Sequence, residues 1–174
     1  MRALEAALSA AEGLASLGRW LAGGILLAAT GLITAEIVLR ALFNRSTFAV
    51  EEFSGYAMAA MIFLGAAHTL ARGGHIRIRL FSDRLGPGGR LWLERLALAV
   101  GVAFASLLLY AFFNLFWDSW SYGTRSLYPS RTPRYLPHGL VLVGIALLWL
   151  EFVVLLARSW LHAPSPEEAS QEGF

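Results

Sequence analysis

The chain has 174 residues, of which 57% are hydrophobic and 15% charged, whereas soluble domains carry ~25% charged residues. This composition favours an integral membrane protein, and its formal charge of +2, carried by 14 dispersed basic residues that are all Arg, excludes the basic patch of a nucleic-acid-binding domain. The absence of cysteine excludes disulfides, thiolate-bound metals and iron–sulfur clusters.

Four apolar runs are long enough to cross a bilayer, which takes about 20 residues of helix. A mixed-charge opening precedes the first run and no cleavable presequence is apparent, so this run is interpreted as a permanent span. We therefore predict an all-α integral membrane protein with a single four-helix membrane domain over residues 1–162. The predicted spans are residues 20–39, 48–70, 96–117 and 136–157.

Charged side chains mark the end of the first span and the start of the second. Glu36 and Arg40 are four residues apart, in the acid-first order that favours a helical ion pair. Glu51 and Glu52 fall in the first turns of the second span, where the helix N-terminus stabilises negative charge. Successive helical residues point about 100° apart, so the two cannot both face one partner helix. A salt-bridge cluster pinning the first two helices, with Arg40 and Arg45 as counter-charges, is favoured over a proton or cation site.

Basic residues also predict the topology. Residues 72–96 interleave arginine with aliphatic and aromatic side chains, which predicts an amphipathic interfacial segment between the second and third spans. Loops on the side of the N-terminus carry nine Arg, against five on the other side. Because basic loops resist translocation, we expect both the N- and the C-terminus to be cytoplasmic. The acidic tail, residues 163–174, has almost no apolar content and is expected to be disordered.

Reactive groups are sparse in the apolar runs. The four histidines fall at unmatched depths, which disfavours a bis-histidine haem, and no nucleophile, phosphate-loop or zinc motif is present. We therefore expect no enzyme activity, cofactor or metal. Glu151 lies about 9 Å from the end of the fourth span by helical rise, and an acid at such depth is a functional hypothesis by default. A structural or subunit contact, with His68 or Arg72 as possible partners, is favoured over an ion pathway.

Pairs of small residues spaced four apart recur in the first two spans and predict close helix packing. The pairs are Gly24 with Ala28, Gly31 with Ala35, and Gly55 with Ala59.

The order of these features is similar to that of one family. The run VLRALFNRSTFAVEEFSGYAMAAMIFLGAAHTLARGGHIRIRL resembles the signature of the small membrane subunit of tripartite ATP-independent periplasmic (TRAP) transporters, the DctQ-like family. PRYLPHGLVLVGIALL resembles the family's proline-led fourth helix, and the resemblance covers roughly residues 33–156. The matching positions are Arg40, Asn44, Glu51, Glu52, Gly65, Ala66 and His75.

The resemblance implies a four-helix scaffold subunit in the bacterial inner membrane. It would pair with a large multi-helix permease subunit, which carries the substrate and ion sites, and with a periplasmic solute-binding protein, for sodium-driven import of a carboxylate-bearing solute. A small proton-coupled exporter and a stand-alone structural membrane protein remain as alternatives. The candidate partner-interface or helix-pinning residues are Glu36, Arg40, Asn44, Glu51, Glu52, Gly65, His75 and Glu151.

Overall fold

The computed structural model describes residues 2–72 and 86–161, and in these ranges the protein is helical without β-strands. Four helices, each with a stretch long and apolar enough to cross a membrane, confirm the predicted all-α, four-span fold. The segment 73–85, which holds His75 and much of the predicted interfacial segment, and the tail 163–174 lie outside the described residues. The helices are α1 (Arg2–Phe43), α2 (Ala49–Ala71), α3 (Pro87–Ser121) and α4 (Tyr135–Leu161).

The helices extend beyond the predicted apolar spans. With 42 residues, α1 is about 63 Å long at 1.5 Å per residue, and its first turns precede the apolar run. It ends at Phe43 because Asn44 takes the left-handed conformation, with φ 52°, while its N–H bonds the Arg40 carbonyl at 3.2 Å. Helix α3 begins with Pro87, whose missing N–H costs nothing in a first turn. Hydropathy detects the part of a helix in hydrocarbon, whereas helical hydrogen bonding continues through polar flanks.

Helices α2 and α4 form the centre of the molecule. Helix α1 packs on α2 and more lightly on α4, whereas α3 packs on α4. In the apolar stretches of α2 and α4, 22% of residues are buried, against 6% in α1 and α3. The protein is therefore a central helix pair flanked by two outer helices that present most of their surface outward. The buried core consists of Ala60, Leu64, Val141 and Ile145.

Close approach of the central pair depends on Gly144. A methyl group at this position would lie 2.8 Å from Phe63 Cβ and 2.9 Å from the Leu64 backbone nitrogen. Gly18 of α1 similarly faces the Leu64 carbonyl and the Leu147 side chain, at 3.0 and 3.4 Å from an added methyl group. Helices α1, α2 and α4 therefore converge at the level of Gly18.

The small-residue pairs predicted for packing lie elsewhere. Added methyl groups at Gly24, Gly31 and Gly55 would meet no atom within 4 Å. The glycines of these pairs therefore make no close helix contact within the described chain, whereas Ala59 packs against the buried core and Ala28 faces the space between α1, α2 and α4. Spacing identifies a common face and leaves open what that face meets.

Polar contacts also join α3 to α4. Trp149 Nε1 donates to Ser106 Oγ at 2.8 Å. Nearer the start of α3, Arg95 Nη2 donates to the Ser159 carbonyl at 2.8 Å, and its guanidinium lies 4.3 Å from the Trp160 ring centre. Ser159 belongs to the last turn of α4, where carbonyls have no helical donor, so Arg95 complements that end of the helix.

The two sides of the molecule differ in what they carry. We call the side with the α1–α2 loop (residues 44–48) and the α3–α4 loop (residues 122–134) the loop face. The opposite side, with the start of α1 and the end of α4, is the terminal face.

Candidate functional site

Two buried carboxylates hold the loops of the loop face. Glu36 of α1 is 5% exposed and Glu52 of α2 is 3% exposed. A buried carboxylate is costly unless it accepts several hydrogen bonds, so the partners of these two residues decide their role. We call the two acids and their partners the loop-face cluster. Its members are Glu36, Arg40, Ser46, Thr47, Glu52, Tyr56, Ser126, Ser130 and Thr132.

Glu36 gathers the α1–α2 loop around its carboxylate. It accepts hydrogen bonds from Arg40 Nε at 2.8 Å and from Ser46 Oγ at 2.6 Å. The Thr47 backbone N–H, at 3.2 Å, and the Thr47 hydroxyl donate to the same group. Arg40 is thus its counter-charge, as the spacing predicted, and Glu36 joins the end of α1 to the residues that precede α2.

The loop hydroxyls also organise the turn into α2. Ser46 Oγ donates to Glu36 and accepts from Arg40 Nη2 at 3.0 Å and from the Phe48 N–H at 3.2 Å. The Thr47 hydroxyl accepts from the N–H of Ala49, the first residue of α2, at 3.3 Å. Five residues therefore reverse the chain, and both hydroxyls donate and accept hydrogen bonds within it.

Glu52 holds the other loop. Its carboxylate accepts from the Tyr56 hydroxyl, one turn later on α2, at 3.1 Å, and from the hydroxyl of Ser130 in the α3–α4 loop. Thr132 supports this contact from the same loop, because its hydroxyl donates to Ser130 Oγ at 3.0 Å. The hydrogen-bond donors to Glu52 are hydroxyl groups, and within the described ranges no basic side chain forms an ion pair with it. Glu52 is the attachment point of the α3–α4 loop on α2.

The α3–α4 loop has a folded backbone of its own. The Ser126 N–H donates to the Thr132 carbonyl at 2.9 Å and the Arg134 N–H donates to the Thr124 carbonyl at 3.1 Å. These bonds close the loop as a small antiparallel hairpin and leave its tip outermost. Leu127, at this tip, is 95% exposed.

A serine–histidine pair joins α3 to α4 near the same face. Ser119 Oγ lies 2.9 Å from His138 Nδ1 and donates its one proton to the Leu115 carbonyl at 2.7 Å. Since a hydroxyl has only one proton, His138 Nδ1 must be the donor to Ser119. The histidine therefore cannot withdraw a proton from this serine, and the pair is a helix–helix contact.

The remaining sequence candidates lie in different environments. Glu51 is exposed, whereas Glu52 is buried, which confirms that the adjacent acids face different surroundings. An added methyl at Gly65 would meet open space. Glu151, in the terminal half of α4, is 3% exposed and is covered by the chain itself. Asn44 provides the left-handed residue that ends α1. His75 lies outside the described residues.

Sequence reasoning missed the hydroxyl partners of both acids. Ser46 and Thr47, directly before α2, could have been recognised from the sequence, because Ser and Thr are preferred where helices start and their hydroxyls form hydrogen bonds there. Ser130 lies 78 positions after Glu52, and no pattern in one sequence joins residues so far apart.

The acids of the loop-face cluster are engaged in contacts within the chain. Among the described residues no three His, Asp or Glu side chains form a potential metal site. The carboxylates of the loop-face cluster accept hydrogen bonds that fix two loops and the helix ends beside them. Fold and site together define a multi-pass α-helical membrane protein whose loop-face acids hold its own chain in place.

Comparison with protein families makes the assignment specific. The family model of the tripartite ATP-independent periplasmic transporters, DctQ component, matches residues 29–162. The chain belongs to this family and is the small component of a TRAP transporter. No curated protein and no solved structure matches it.

Proposed function

We propose that the chain is the scaffold subunit of a TRAP-type secondary transporter. It supports sodium-driven import of a carboxylate-bearing solute, which a periplasmic binding protein delivers and a large multi-helix permease subunit translocates. The observation that carries this proposal is the loop-face cluster, in which Glu36 and Glu52 are committed to holding loops of the same chain. Such residues stabilise a shape that other subunits can bind.

The exporter alternative is less well supported. A proton-coupled exporter needs an acid near the middle of the membrane, where protonation alternates with substrate binding. Glu36 lies instead near the end of α1 and already accepts bonds from Arg40, Ser46 and Thr47. Each of these contacts would have to break in every transport cycle.

Reconstitution tests the scaffold role. Proteoliposomes would contain this chain, the large permease subunit, or both, with the binding protein added outside and a panel of radiolabelled carboxylates as probes. We expect uptake driven by a sodium gradient only when both membrane subunits are present. Sodium-driven uptake by this chain alone would refute the scaffold role, and equal uptake by the large subunit alone would show that the chain is dispensable.

We propose further that the loop face is periplasmic and both termini are cytoplasmic, in the bacterial inner membrane. The support is the excess of Arg on the side of the N-terminus. The chain has no cysteine, so single-cysteine variants give clean labelling. In spheroplasts, a membrane-impermeant maleimide should label Leu127→Cys and should leave Arg72→Cys unlabelled until the membrane is permeabilised. The reverse pattern would invert the topology.

Gly65 is our candidate for a direct contact with the large subunit. It belongs to the family-like run, lies on α2, and faces no described atom within 4 Å of an added methyl group. A close-packed partner helix would occupy this space. Gly65→Phe should therefore reduce co-purification of the large subunit without changing the unfolding midpoint of the isolated chain. Ala103→Phe, on the exposed surface of α3, is the control; a fully retained complex in Gly65→Phe would remove Gly65 from the interface.

A further inference from the structure

An apolar groove opens between α1, α2 and α4 in the half of the membrane next to the loop face. The three helices converge where Gly18 meets Leu64 and Leu147, and the space between α1 and α4 widens toward the loops. The resulting cavity has a volume of about 610 Å³. Its floor is α2, and its walls are α1 and the start of α4. The lining includes Ile25, Ala28, Leu32, Tyr56, Leu136 and Leu140.

The shape of the groove limits what can fill it. The groove is open along its side and narrows toward Gly18, where α1, α2 and α4 converge. A flexible hydrocarbon chain adapts to such a space, and an almost wholly apolar lining excludes ordered water, which needs polar partners.

A positive charge lies beside the groove at the loop face. Arg134, whose side chain is exposed, lies in the chain midway between Thr132 and Leu136, both of which line the groove. Arg134 forms no ion pair within the described ranges. An arginine above an apolar slot matches a phospholipid, whose phosphate lies at the membrane surface and whose acyl chains lie below it.

We propose that this groove binds a phospholipid of the loop-face leaflet, with one acyl chain between α1 and α4 and the phosphate at Arg134. The bound lipid fills the gap between α1 and α4 and so supports the position of α1. The proposal needs only that the chain spans a membrane, so it stands or falls independently of the transport role.

Native mass spectrometry of the full chain in detergent, titrated with phosphatidylglycerol, measures this binding. Ala28→Phe places a ring in the groove and should weaken binding of the first lipid by about ten-fold or more, since most of the buried apolar contact is lost. Arg134→Gln should weaken it about five-fold, equivalent to ~1 kcal/mol for one arginine near a charged surface. Ala103→Phe, on the exposed face of α3, and Arg45→Gln, in the other loop, are the matched controls and should bind as the wild type does.

The alternatives give different results. Equal lipid affinity for Ala28→Phe and Ala103→Phe would overturn the proposal. Unchanged lipid affinity with loss of large-subunit co-purification in Ala28→Phe would also overturn it, and would assign the groove to a protein side chain. Binding of inorganic phosphate that is lost in Arg134→Gln, together with unchanged lipid affinity in that variant, would show that Arg134 binds free anions rather than lipid and would overturn its assignment to the lipid phosphate. We expect the unfolding midpoints of all variants to stay close to that of the wild type. If Ala28→Phe is destabilised, Arg134→Gln still tests the proposal, because this substitution adds nothing to the groove.

Discussion

Replacement of Glu52 by alanine should release the α3–α4 loop from α2. The change removes the acceptor of the Tyr56 and Ser130 hydroxyls and leaves those groups to water at the membrane surface. A hydrogen bond to a charged acceptor contributes roughly 1.5–3 kcal/mol, whereas polar contacts between membrane helices average about 0.6 kcal/mol. Since the loop hydroxyls can rehydrate, we expect a total loss near 2 kcal/mol for the attached loop.

Limited trypsin digestion reports this release directly. The loop contains Arg125 and Arg131, and its folded hairpin restricts cleavage at both. When opening is fast relative to cleavage, the rate follows the population of the open loop, so ~2 kcal/mol corresponds to about a 30-fold faster cut. Mass spectrometry of the fragments separates these cuts from cuts at other arginines.

The neighbouring acid provides the control for this experiment. Glu51 carries the same charge, one residue away, and is exposed. Glu51→Ala should therefore leave the loop cleavage rate within about two-fold of wild type, as surface substitutions change little. If Glu52→Ala and Glu51→Ala were cut equally slowly, the carboxylate of Glu52 would not hold the loop.

Three further changes test the packing. Gly144→Ala should lower the free energy of unfolding in mixed micelles by ~1–3 kcal/mol, because the added methyl group overpacks the contact between α2 and α4. Gly65→Ala faces open space and should be near neutral, so equal unfolding midpoints for the two variants would contradict the close approach at Gly144. Asn44→Val should cost about 1–2 kcal/mol because of its positive φ, and Asn44→Gly should be tolerated; two equally stable variants would mean that the turn has another conformation. A double-mutant cycle of Trp149→Phe and Ser106→Ala should give a coupling of about 0.6 kcal/mol, and zero coupling would remove their hydrogen bond.

Sequence patterns predicted features that repeat within one helix. Apolar length identified all four helices, because crossing hydrocarbon requires a continuous run. The Glu36–Arg40 pair followed from a spacing that places the two side chains on one face. The different surroundings of Glu51 and Glu52 followed from the helical period, but the period does not tell which of the two faces the protein.

Features that depend on distant parts of the chain could not be predicted. The contact of Glu52 with Ser130 requires the α3–α4 loop to fold back over α2, which only the packed helices establish. The tightest backbone approach uses Gly144 against Phe63 and not the glycines of the four-apart pairs. That selection depends on which helix faces meet, and an apolar surface satisfied by lipid looks the same in sequence as one satisfied by another helix.

The central position of α2 and α4 has a consequence for biogenesis. A ribosome delivers the helices from the N-terminus onward, so α1 and α2 can associate as a hairpin early. The contact between α2 and α4 can form only after the last helix enters the bilayer. Until then, the side of Leu64 that packs against α4 faces lipid. A nascent chain stalled before α4 would consist of a helical hairpin and a third helix that lacks its main packing partner, α4.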